Sequence, residues 1–171
     1  GPKGVGILYI KKGIHIKPLI LGGGQESGMR SGTEAVPLIY GMCGAIKDLP
    51  NTDRQSSIQQ DLWSYAKEKL LSTGVVEINS PDNCLPYIIN ISVLGYRSET
   101  LLHFLESDGV YVSSGSACSK GVGSYVLISC GLSRQRVDSA LRISFNRFNK
   151  KDDIDRLCDS LLKATAKLRK A

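Results

Sequence analysis

Toward the end of the chain, Ile154, Leu157, Cys158, Leu161, Leu162, Thr165 and Leu168 recur at steps of three and four. Asp152 and Asp153 stand ahead of them and Lys163, Lys167, Arg169 and Lys170 close the run. That spacing predicts an amphipathic helix whose acids and bases complement its dipole. Two weaker helical patterns precede it. Val36, Ile39, Tyr40, Cys43 and Ile46 share one face of a helix with Thr33 or a neighbour as N-cap, and Pro37 fits only because it lies near the helix start. Ile58, Leu62, Tyr65, Ala66 and Leu70 form the inward face of a second, from about Ser56 to Leu71, with Gly74 as its stop.

Between the helices the period changes. Val5 to Ile10 (VGILYI) is a short, β-branched apolar run and predicts a buried strand. Short strands are also predicted at Val75 to Ile78, Ile88 to Val93 and Val110 to Val112. Ser98 caps a helix that ends at Gly109. Ala140 to Phe145 (ALRISF) alternates like a strand with one wet face. No internal repeat is visible, and the order of elements points to an α/β or α+β architecture.

Composition adds little to this picture. Hydrophobic residues make up 42% and charged residues 22% of the 171, close to the globular average, so a real core is expected. No apolar run reaches the roughly 18 residues of a membrane span, and the N-terminus lacks a signal-peptide pattern. The expectation is a soluble, cytoplasmic protein. The net charge of +6 is spread along the chain and clusters only at the end of the last helix, where it complements the dipole. With few aromatics and no recognisable binding module, neither nucleic acid nor membrane is an expected partner.

Five cysteines, Cys43, Cys84, Cys118, Cys130 and Cys158, form no C-x-x-C pair, and the only histidines are His15 and His103. Zinc spacing is absent, no metal is expected, and the odd count argues for reduced thiols. Cys43 and Cys158 lie on apolar helix faces and read as small buried hydrophobes. Cys130, before Gly131, marks a helix C-terminus and reads as structural, while Cys84 sits in the turn-like SPDNCLP. Cys118 differs, because it lies in VSSGSACSKGVGS with no apolar periodicity around it. Lys120 nearby favours the thiolate, the nucleophilic form. Local chemistry leaves a nucleophile and a plain surface cysteine equally open.

Three stretches in order, GPKGVGILYI, GGGQESGMRSGT, and SSGSACSKG with ALRISFNRF, resemble the cysteine desulfurases of the pyridoxal-phosphate fold-type I superfamily. They look like group I of that class-V aminotransferase family. The resemblance implies the C-terminal part of such a fold: residues 1–53 as the tail of the large cofactor-binding domain with a connecting helix, and residues 54–171 as a small α+β domain with a mainly antiparallel sheet packed by helices. It implies conversion of L-cysteine to L-alanine, with pyridoxal 5′-phosphate as electron sink and a persulfide left on Cys118. Arg142 matches the residue that grips the substrate carboxylate, for which a guanidinium on a rigid strand is suited. A surface ion pair is its plainer reading. Thr33 matches the threonine that reaches the cofactor phosphate of a neighbouring subunit, which implies a homodimer; a helix N-terminus there is compatible. Arg30 assists there or forms an ordinary salt bridge.

The resemblance also implies that the cofactor lysine lies just upstream of the Gly-Pro-Lys-Gly turn, so Lys3 is not that residue and the 171 residues alone are expected to be inactive. Two departures stand out: Asn146 replaces a usual glycine, and the segment after Cys118 is short. The implied acceptor is a scaffold or sulfur-carrier protein serving iron–sulfur clusters or thiolation. A related class-V aminotransferase or lyase, or a non-enzymatic sulfur-relay domain, are the competing readings.

Overall fold

A computed structural model describes residues 1–49, 52–114 and 123–170, and the chain divides into two units, Gly1–Asn51 and Thr52–Ala171. The first unit holds a short 3-10 turn at Glu26–Gly28 and one helix, α1 (Val36–Lys47). The second holds α2 (Thr52–Ser72), β1 (Glu77–Ile78), β2 (Ile88–Ser92), α3 (Ser98–Ser107), β3 (Ser113–Ser114), α4 (Tyr125–Ser129), α5 (Arg134–Asp138), β4 (Ala140–Ser144) and α6 (Lys151–Lys167). Among the described residues no helix is long and apolar enough to cross a membrane.

The four strands form one sheet in the order β1-β2-β4-β3, with every neighbouring pair antiparallel. Its centre is the β2–β4 pair, where Ile89 faces Ile143 and Ile91 faces Leu141. Period-two alternation sends these four side chains to one side, and all four are buried. Against them pack Leu62, Trp63, Ala66 and Leu70 of α2, Leu101 and Leu105 of α3, and Ile154, Leu157, Leu161 and Ala164 of α6. Arg142 and Ser144 fall between the inward residues of β4 and are exposed, as the ALRISF alternation predicts.

Polar contacts lock the helices in register. Tyr65 Oη of α2 donates to both carboxylate oxygens of Asp155 on α6, at 2.8 and 3.0 Å, and Lys69 Nζ reaches the same group at 3.2 Å. Tyr96 Oη donates to the Thr165 carbonyl at 2.9 Å. At the start of α6 the Asp153 carboxylate accepts from the Lys150 N–H at 2.9 Å and from Asn149 Nδ2 at 3.2 Å.

Several sequence expectations change. VGILYI forms no strand, and Ile7, Leu8 and Tyr9 are 70–84% exposed, because no strand among the described residues of the first unit lies beside them to pair. Helix α1 begins at Val36, with Ala35, two residues beyond Thr33, as its N-cap. Pro37 is tolerated only in the first turn, and the helix starts directly before it. The α1 face holding Val36, Tyr40 and Cys43 is exposed, so Cys43 is not a core residue. On α2 the buried stripe is Gln59, Leu62, Trp63, Ala66 and Leu70, while Ile58 points outward. Ser98 is the first helical residue of α3 rather than its cap, Arg97 taking that place.

No strand spans Val110 to Val112 either. The Val110 N–H is used to close α3, donating to the Leu105 carbonyl at 2.8 Å, and pairing with β4 begins only at Ser113. In α6 the expected face holds, with Cys158 buried, but Leu162 is 42% exposed.

Two outcomes follow from this packing. Leu161→Ala removes a fully buried side chain and is expected to lower the unfolding free energy by about 2–5 kcal/mol, against less than about 1.5 kcal/mol for Leu162→Ala, as read by urea denaturation. The Asp155 carboxyl is held below its usual range, first by the Tyr65 hydroxyl and then by Lys69. Its stabilising contribution is therefore complete above the unfolded value of about 3.9 and is lost as pH falls through the lower folded value. Urea midpoints of the wild type and Asp155→Asn should differ at neutral pH and converge on acidification.

Candidate active site

Arg142 occupies the middle of β4, itself an interior strand of the sheet. On one side its cross-strand partner is Asn90 of β2, and on the other Ser113 of β3. The three side chains thus form one polar row across three strands, on the face opposite α2, α3 and α6. Arg142 Nη2 donates to Ser113 Oγ at 3.4 Å, a long and weak bond. Among the described residues no carboxylate pairs with this guanidinium, so the plainer reading of a surface ion pair finds no acid here. Its fork of donors remains open to a planar anion.

The same face of the sheet carries a second set of polar contacts nearer its β1 edge. Asn79 Nδ2 donates to Asn90 Oδ1 and to Ser92 Oγ, each at 2.7 Å. Arg136 on α5 donates through Nε to Asn79 Oδ1 at 2.9 Å and through Nη2 to the Ile78 carbonyl at 2.7 Å, and pairs with Glu77 at 3.2 Å. Ser92 Oγ completes the ring by donating to the Arg136 carbonyl at 2.7 Å. These bonds fasten α5 to the sheet and orient the Asn90 amide beside Arg142. Sequence reasoning missed Asn90, Ser113 and Arg136, because only the strand register shows which polar residues flank Arg142.

Cys118 lies outside the described residues, four positions beyond Ser114 of β3 and five before Gly123. Gly123 rests so closely on α5 that a Cβ there would overlap Val137 Cγ1, so only glycine fits without displacement. The other thiols differ in setting. Burial pushes the Cys158 thiol up to about 11, with the neighbouring Asp155 adding to the effect, which leaves it unreactive at neutral pH. Cys130 is the exposed C-cap of α4 and precedes Gly131 at φ +78°, the helix end expected from the sequence. Cys84 is partly exposed.

Thr33 belongs to the first unit and is exposed, three residues ahead of α1. No side chain caps the first N–H groups of this helix. Its first turn has no N–H to spare, because the Val36 N–H donates to the Glu34 carbonyl and the Leu38 N–H to the Ala35 carbonyl, each at 2.9 Å, and Pro37 has none; the phosphate-binding chemistry here is that of the exposed Thr33 hydroxyl. Arg30 makes no salt bridge among the described residues; its Nη1 donates instead to the Ser31 carbonyl at 2.7 Å.

Residues 1–157 match the family model described as aminotransferase class-V. The chain is 34% identical to cysteine desulfurase IscS 1 of Archaeoglobus fulgidus, over 99% of this chain and 45% of that protein. It is 36% identical to cysteine desulfurase IscS of Methanosarcina thermophila, over 99% of this chain and 43% of the relative. Among solved structures, one described as a NifS-like protein superposes with a TM-score of 0.83 at 35% identity, covering 98% of this chain and 44% of the other. A NifS-like protein from Rickettsia africae gives 0.75 at 28% identity, over 90% of this chain and 41% of the other. The chain thus spans under half the length of the relatives it matches.

Proposed function

The chain belongs to the class-V aminotransferase family, and we propose that it carries the substrate-gripping and sulfur-accepting residues of a pyridoxal-phosphate-dependent cysteine desulfurase. The observation that supports this most is the register of Ser113 with Arg142. It sets a guanidinium with no carboxylate partner among the described residues beside the strand from which the chain runs to Cys118, and four residues of chain cover at most about 14 Å. In this reading Arg142 holds the carboxylate of L-cysteine, with Ser113 and Asn90 flanking it.

The Cys118 thiolate attacks the substrate sulfur. A new S–S bond forms, the substrate C–S bond breaks, and its electron pair stays with the carbon that takes up a proton to become the methyl group of L-alanine. The cofactor, when bound, stabilises the negative charge that develops on the substrate. Thr33 contributes its hydroxyl to the phosphate site of a neighbouring subunit in a homodimer. An acceptor or scaffold protein's thiolate then attacks the outer sulfur of the Cys118 persulfide, forming a new S–S bond as the old one breaks and Cys118 leaves as thiolate.

Residues 1–53, in the same reading, close the large cofactor-binding domain, and residues 54–171 form the small domain. The cytoplasm, with its reduced thiols, is the compartment that suits this chemistry.

The test uses the complete polypeptide that carries these residues. Cys118→Ala is expected to bring alanine formation from cysteine to background while pyridoxal phosphate still binds; a transaminase of the same family would keep its turnover. Arg142→Ala is expected to raise KM for cysteine roughly tenfold to a hundredfold, the effect of losing hydrogen bonds to a charged group. Full alanine production by Cys118→Ala would refute the desulfurase reading.

A further inference from the structure

The loop that delivers Thr33 is built around one peptide group. The carbonyl of Ser31 accepts from Arg30 Nη1 at 2.7 Å, and the N–H of Gly32 donates to Gln25 Oε1 at 3.0 Å. These two backbone groups belong to the same peptide unit, so a side chain holds it at each end.

The rest of the loop is arranged to make this possible. Glu26 and Ser27, directly after Gln25, are both left-handed, at φ 51° and 55°. That conformation is unfavourable for residues with a Cβ and turns the chain sharply back on itself. The turn lets a side chain seven positions earlier face the Gly32 N–H. The Gln25 carboxamide lies against Gly23, with Nε2 and Oε1 2.9 and 3.0 Å from where a Cβ would stand. Gly32, at φ +118°, has Arg30 Nη1 packed where its own Cβ would be, so neither flank accepts a larger residue unchanged. The backbone contributes one more tie, from the Ser31 N–H to the Ile20 carbonyl at 3.3 Å.

We propose that Gln25 and Arg30 are positioning residues for Thr33: together they fix the plane of the Ser31–Gly32 peptide and so the direction in which Thr33 leaves the loop toward a cofactor phosphate. The inference rests on the reading of Thr33 as a phosphate contact. It assigns Arg30 to the backbone rather than to the phosphate or a salt bridge, and gives Gln25 a part that the glycine-rich character of the loop does not reveal.

The experiment measures dissociation constants of pyridoxal phosphate and of unphosphorylated pyridoxal by titration of the cofactor-free complete polypeptide. The variants are Thr33→Ala, Gln25→Met and Arg30→Met, and thermal melting is recorded for each. Gln25→Met keeps length and bulk but loses the acceptor. It is expected to weaken pyridoxal phosphate roughly three- to tenfold, as for one lost hydrogen bond, with pyridoxal binding and melting unchanged. Should Gln25→Met fail to fold, Arg30→Met, at an exposed position, carries the same expectation. If Thr33→Ala weakens the phosphorylated cofactor but Gln25→Met does not, or weakens both cofactors alike, the positioning role is overturned and the Thr33 reading stands. If Thr33→Ala itself changes nothing, that reading fails and the positioning role with it.

Discussion

The alternation of β4 against β2 is the constraint from which most of the second unit follows. Leu141 and Ile143 must be buried, because they pair with Ile91 and Ile89 and supply the floor on which α2, α3 and α6 rest. A strand has only two faces, so burying those two residues forces Arg142 to the other. A slip of one residue would turn Arg142 into the core and expose the leucine and isoleucine, at a large cost in hydrophobic burial and charge desolvation. The fold therefore positions the guanidinium through the packing of its neighbours, with no dedicated contact needed.

The two units differ in how their apolar residues are used. In the second, helices and sheet bury a contiguous cluster, and the bonds from the Tyr65 hydroxyl to Asp155 and from the Tyr96 hydroxyl to the Thr165 carbonyl hold the layers in place. In the first, Leu8, Tyr9, Leu19, Val36 and Tyr40 are left 65–96% exposed.

How much of this could be read in the sequence depended on whether a residue's neighbours are local. Helix α6, with its acids, bases and apolar stripe, is specified within its own turns and was legible almost residue by residue. The outward position of Arg142 was legible too, since alternation is a local property. The loss of a strand at Val5 to Ile10 was not, because a strand exists only through a partner that the run itself does not name. The same holds for Val110, whose N–H is claimed by Leu105 in the turn that ends α3. Asn90 and Ser113 became recognisable only when register placed them beside Arg142, and the part played by Gln25 only when the loop closed on Gly32. Cys118 was singled out by its small-residue surroundings and gained its assigned chemistry from the family resemblance.

The burial of Cys158 has a consequence of another kind. A thiol with its proton held to about pH 11 is hidden from alkylating reagents as long as α2 and α6 stay together. It becomes an ordinary, reactive cysteine only when they part. The rate at which it is labelled in native buffer therefore reads the fraction of time this helix pair stands open, giving the protein an internal gauge of its own local unfolding.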